Sequence, residues 1–197
     1  LRIYTLVNTA NNFYWNTFPL MIASIFLFVA GISLSLSWNR FQKHGKSKWE
    51  KYGKRGLKIS GYGLLITAVT MFFYPENLIF FGILHLIGAT ILLSPLVISS
   101  WKKSLATAAA IMTTRILIKP EVTQSLFKAA TGLGKPGFAT FDYFPLIPWS
   151  SIIFLGLAFG HLTYPQGKPR IELEKPETLQ RTISTLQLLG RNSLTIY

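Results

Sequence analysis

Cysteine is absent from the chain, which excludes disulfides and thiolate metal sites while leaving the redox compartment open. Acidic residues are scarce: 7 Asp and Glu stand against 20 Lys and Arg, for a net charge of +13. Charge of either sign is thin, at 14% of residues where a soluble domain carries about 25%. The sequence has no Walker loop, no dinucleotide fingerprint and no HExxH pair, so these routes to nucleotide, NAD and zinc chemistry are closed. A signal peptide with a cleavage site, internal repeats and low-complexity tracts are also missing. No metal site is expected.

Half of the residues are hydrophobic, and the mean hydropathy is +0.37. That composition implies an all-α, polytopic transmembrane helix bundle. About five full spans plus a partial C-terminal helix are expected, in a single membrane domain over 1–197. The central span is the uncharged run 77–101, which at about 1.5 Å per residue outlasts a hydrocarbon core of ~30 Å. Uncharged runs at 18–38, 59–75 and 143–167 supply further spans, and 104–118 is shorter and interrupted by Arg115. Gly61 and Gly63, and the pair Gly156 and Gly160, suggest close helix contacts. The last apolar stretch, 186–197, is too short to cross, so the chain reads as a fragment incomplete at both ends.

The basic residues are placed unevenly. Arg40, Lys43, Lys46, Lys48, Lys51, Lys54, Arg55 and Lys58 all fall between two apolar runs. This is the positive-inside pattern, so the 40–58 loop is expected in the cytoplasm of a multi-pass protein of the inner or plasma membrane. The same placement accounts for the positive charge without nucleic acid. Arg2, Lys119, Lys128 and Lys135 then face outward, with Arg115 at the outer edge.

One titratable side chain, His85, lies inside the central span, where an ionisable group is costly unless it faces the protein interior. The outer half of the membrane would also gather Arg115, Asp142, Tyr143 and Trp149. His85 and Asp142 are the catalytic candidates, because a carboxylate can orient an imidazole acting as general base. The bland alternative is a ring that donates to a backbone carbonyl and stiffens the bundle. Arg115, Tyr143 and Trp149 are candidate substrate-binding residues; Arg115 can grip a carboxylate or oxyanion, or simply snorkel. Asp142 can equally cap the helix that starts near Pro145. Pro145 and Pro148 forbid regular helix before Pro148, so irregular backbone enters the membrane edge, either as a cavity lining or within an aromatic belt. Arg55, Lys58, Arg191 and Asn192 are candidate contacts for a phosphate-bearing donor such as coenzyme A. His44 reads as a solvated loop residue and His161 as an interface residue.

The segments FLFVAGISLSLSWNRF (26–41), KRGLKI (54–59), FFGILHLIGATILL (80–93), FDYFPLIPW (141–149) and LGRNSLTIY (189–197) occur in this order. Together they resemble the heparan-alpha-glucosaminide N-acetyltransferase catalytic-domain family, a group of polytopic membrane acyltransferases, over nearly the whole chain. The resemblance implies transfer of an acetyl group from cytoplasmic acetyl-CoA, as co-substrate, to an extracytoplasmic sugar amine or hydroxyl. The implied partners are the lipid bilayer, acyl-CoA and a glycan or glycolipid acceptor, with a homodimer allowed. The family's Arg-Gly pair with a following His, the group most associated with acetyl transfer, has no counterpart here, so His85 carries over in a supporting role. A permease and a non-catalytic membrane scaffold are the alternative readings of the same residues.

Overall fold

The structure, a computed structural model, describes residues 13–42, 47–74, 76 and 78–170. Arg191, Asn192 and His44 lie outside them. Six α-helices dominate: α1 (Phe13–Phe41), α2 (Lys48–Phe73), α3 (Ile83–Leu93), α4 (Trp101–Leu117), α5 (Leu126–Thr131) and α6 (Leu146–Thr163). Among the described residues, three stretches are long and apolar enough to cross a membrane, namely Thr17–Phe41, Lys48–Phe73 and Leu146–Thr163.

The run 77–101 is not one helix. Residues before Gly82 are irregular, α3 closes at Leu93 into a 3-10 turn over Ser94–Leu96, and α4 starts afresh at Trp101. Pro95 explains the break, since it has no N–H to continue the ladder and its ring crowds the preceding turn. The 40–58 stretch also differs from a loop. Its last five cations, Lys48, Lys51, Lys54, Arg55 and Lys58, belong to the first turns of α2. The spacing of Glu50 and Lys54, one helical turn apart and bridged at 2.6 Å, favours this helical start, although so exposed a pair adds little stability.

One exception to all-α structure follows α4. Strands β1 (Glu121–Thr123) and β2 (Gly134–Pro136) pair in parallel around α5, in register Glu121 with Gly134 and Thr123 with Pro136. Gly132 ends α5 with φ of 85°, a left-handed conformation suited to glycine, and the turn it allows carries the chain back to β2.

Helix α6 packs against α1 and α4 and touches α3, which in turn lies on α2. The α1–α6 contact is made of glycine. A Cβ on Gly31 would meet the Ile153 carbonyl and lie 2.8 Å from the Leu157 nitrogen, and a Cβ on Gly156 would run into the Phe28 carbonyl. Close backbone approach of this kind compensates for the weak hydrophobic drive between helices in lipid. Gly63 likewise sits against the His85 ring, whereas Gly61 has nothing within 4 Å and makes no such contact. Leu27, Leu34, Leu86, Ile91, Ile153 and Leu157 form the buried centre.

Polar ties hold the two ends. At one end, the Lys51 ammonium donates to the Ser37 carbonyl at 3.2 Å and lies 4.5 Å from the Phe41 ring centre. There too Asn39 donates to the Tyr164 carbonyl (2.9 Å), and His161 Nε2 donates to the Ile98 carbonyl (2.9 Å). This end also holds Arg40, Lys102, Lys103, Lys168 and Arg170 beside the α2 cations. The opposite end carries Arg115, Lys119, Lys128 and Lys135 with Glu76, Glu121 and Asp142, so its charge is nearly balanced.

Candidate functional site

At the less basic end, 78–82 and 140–144 run side by side. Phe144 donates its backbone N–H to the Phe81 carbonyl at 2.8 Å, and the Phe80 N–H reaches the Thr140 hydroxyl. The peptide groups of this irregular backbone need partners from the protein, because lipid offers none. Two threonines one turn apart on α2 serve Ile79. Thr70 Oγ1 accepts its N–H at 3.1 Å, and Thr67 Oγ1 donates to its carbonyl at 2.6 Å.

Asp142 is a cap, though of a different helix from the one its position suggests. Its Oδ2 accepts the N–H of Ile83 at 3.1 Å, which places the carboxylate on the N-terminus of α3. A negative group there complements both the free amide and the helix dipole. The segments 78–82 and 140–144 lie so close that Asp142 reaches back across 59 positions; α6, which begins at Leu146, is left without it.

His85, in the first turn of α3, is 7% exposed. Its ring lies 5.5 Å from that of Phe81, and its Nε2 is 3.4 Å from Thr67 Oγ1. A cavity of about 100 Å³ is lined by His85 and Asp142 together with Gly63, Gly82, Ile79 and Ile83. Both glycines are needed for it: a Cβ on Gly63 would be 2.9 Å from the imidazole, and one on Gly82 would collide with the Asp142 carboxylate. The structure thus brings the two catalytic candidates to one small chamber.

The next residue along faces elsewhere. Tyr143 lines a second cavity of about 260 Å³ with Arg115, Lys135, Pro148 and Trp149. All three candidate substrate-binding residues therefore share one space. The Tyr143 hydroxyl donates to the Ala129 carbonyl at 2.7 Å and lies 3.2 Å from the Gly134 carbonyl, so it pins the α5–β2 turn. Trp149 packs edge-on against Phe144 at 4.7 Å. Helical geometry inside α6 is regular only past Ile147, as the two prolines require. A guanidinium, an ammonium and an indole around one space can hold a polar or anionic ring substrate.

A third cavity, of about 280 Å³, opens among α1, α2, α3 and α6 towards the basic end. Its walls are apolar apart from Ser33 and Arg55, and Ile87 and Ile91 on its α3 side continue the helix that bears His85. Lys58 does not line it; its ammonium lies 6.0 Å from the Tyr62 ring. Among the four candidate donor contacts, Arg55 is the one the described residues set in a cavity.

Sequence reasoning missed Thr67 and Lys135. Lys135 stands in the glycine-rich 131–137 segment, legible only as a loop, and Thr67 carries no motif.

Helices long enough to span a bilayer, with a buried histidine and a half-buried carboxylate beside a cation-lined space, agree with an integral membrane protein that carries a polar site. The family described as "Heparan-alpha-glucosaminide N-acetyltransferase, catalytic" matches residues 2–197, and the chain belongs to it. That membership makes it a membrane protein of an acetyltransferase family. No curated protein and no solved structure matches the chain.

Proposed function

We propose that this protein takes an acetyl group from acyl-CoA at its basic, cytoplasmic end and passes it to a sugar amine or hydroxyl on the other side of the membrane. One observation supports this reading above the rest: His85 and Asp142 share a chamber, while the adjoining Tyr143 faces a larger space with Arg115, Lys135 and Trp149. A proton acceptor and a polar receptacle for a sugar are thereby neighbours along two residues of chain.

His85 accepts the proton of the acceptor nucleophile, Asp142 orients the chamber, and Arg115, Tyr143 and Trp149 hold the acceptor. The donor reaches the site from the basic end. A cavity of about 280 Å³ is small beside the roughly 300–1,000 Å³ of a site for a drug-sized ligand. It suits the slender acyl-bearing arm of coenzyme A, with the phosphates left at the surface on Arg55, Lys58 and, further along, Arg191 and Asn192. The uneven cation distribution supports the orientation, and with the shorter α3 and α4 counted as crossings the chain would make five within one membrane domain.

Calorimetry with acetyl-CoA on the full chain in detergent, paired with transfer of labelled acetyl to glucosamine, tests the proposal. Binding with transfer that His85→Ala lowers is expected. A native protein that neither binds nor transfers overturns it.

A further inference from the structure

We infer that Thr67 fixes which nitrogen of His85 carries the ring proton, placing it on Nε2 and leaving Nδ1 as the basic atom. A threonine hydroxyl has one proton to give and lone pairs to accept with. The Thr67 proton goes to the Ile79 carbonyl, 2.6 Å away, since a carbonyl can only accept. That carbonyl is held in place because the N–H of the same residue is bound to Thr70 Oγ1 at 3.1 Å. Thr67 therefore presents lone pairs to His85 Nε2 at 3.4 Å, and the contact is attractive when Nε2 bears hydrogen.

The other nitrogen is left bare. No hydrogen bond reaches Nδ1 from the described residues, and the α2 backbone beside it is Gly63, where a Cβ would stand 2.9 Å from that nitrogen. That carbon would also stand 2.9 Å from Cε1 and 3.1 Å from Cγ, so glycine is what lets α2 lie against the ring here without a side chain pressing on it. Asp142, which lines the same chamber, is committed to the α3 N-terminus through Ile83.

The use made of Nδ1 rests on the proposed acetyl transfer. As the acceptor amine attacks the thioester carbonyl, its proton passes to Nδ1. The C–S bond then breaks and the sulfur takes that proton, giving amide and free thiol. Thr67 acts through His85 and is a positioning residue.

The test is ¹⁵N NMR of the full chain in nanodiscs with labelled histidine rings, at a pH where the rings are neutral. His85→Gln identifies the His85 signals. The native protein should show protonated Nε2 and bare Nδ1. Thr67→Val should mix or reverse the tautomers and lower turnover about tenfold or more with KM within about twofold. Thr67→Ser should restore both. A native Nδ1–H tautomer, or ring signals unchanged in Thr67→Val, overturns the inference. The native spectrum decides even where a variant fails to fold. Since the spectra need neither donor nor acceptor, a native protein without transfer counts against the acetyltransferase reading alone.

Discussion

Replacing Gly31 or Gly156 with alanine should separate α1 from α6. At Gly31 the added carbon would stand 2.8 Å from the Leu157 nitrogen and 3.0 Å from the Gly156 carbonyl carbon, and at Gly156 it would stand 2.9 Å from the Phe28 carbonyl carbon. Ordinary contact begins at 3.4 Å, so the helices must part by at least 0.6 Å. Every obstructing atom is backbone, which cannot rotate aside as a side chain can. Overpacking of this kind costs about 1–3 kcal/mol, and rigid neighbours place these sites near the top of that range. Alanine's better helix propensity returns up to about 1 kcal/mol, leaving a net loss of roughly 2 kcal/mol. For a chain of this size that is a fall of about 4–8 °C in Tm. Gly53→Ala and Gly61→Ala are the controls, because a Cβ at either meets nothing within 4 Å. Thermal denaturation in detergent, followed by the surviving monodisperse fraction, provides the comparison. If Gly31→Ala and Gly156→Ala melt no lower than the two controls, glycine contact does not hold these helices together.

Gly63→Ala should press on the His85 ring and lower transfer about tenfold, whereas Gly61→Ala, two positions away, leaves turnover unchanged; steady-state rates of the two variants decide. Tyr143→Phe removes the hydrogen bond to the Ala129 carbonyl and should cost about 1 kcal/mol at neutral pH, read from the melting curve. His161→Ala should lose about 0.5–1 kcal/mol by freeing α6 from the Ile98 carbonyl, again a melting measurement.

Much of the helical frame was legible in the sequence because long uncharged runs and glycine spacing act locally. The Gly156–Gly160 pair faces α1 as its spacing suggests, and Pro148 marks where regular helix begins in α6. The 77–101 run misled because hydropathy measures what lipid tolerates and says nothing of continuity: Pro95 stops the helix without adding charge. The basic 48–58 segment was hidden for the opposite reason, since charge density suggests a loop even where α2 has already begun. At the site, residue type marked His85, Asp142, Arg115, Tyr143 and Trp149 as candidates, and the fold places them around two cavities. What Asp142 holds was not legible, because its partner Ile83 lies 59 positions away and the pairing depends on two irregular strands meeting. Thr67 escaped for a similar reason; a hydroxyl gains meaning only from the carbonyl and the imidazole on either side of it.

Transfer in oriented proteoliposomes decides from which face the acetyl donor enters. Labelled acetyl-CoA would be supplied on the face bearing the 40–58 segment, with glucosamine enclosed on the other. Acetylated sugar should accumulate inside with this arrangement, and not when donor and acceptor are exchanged. Equal product from both arrangements, or none from either, would contradict a site fed with acetyl groups from its basic end.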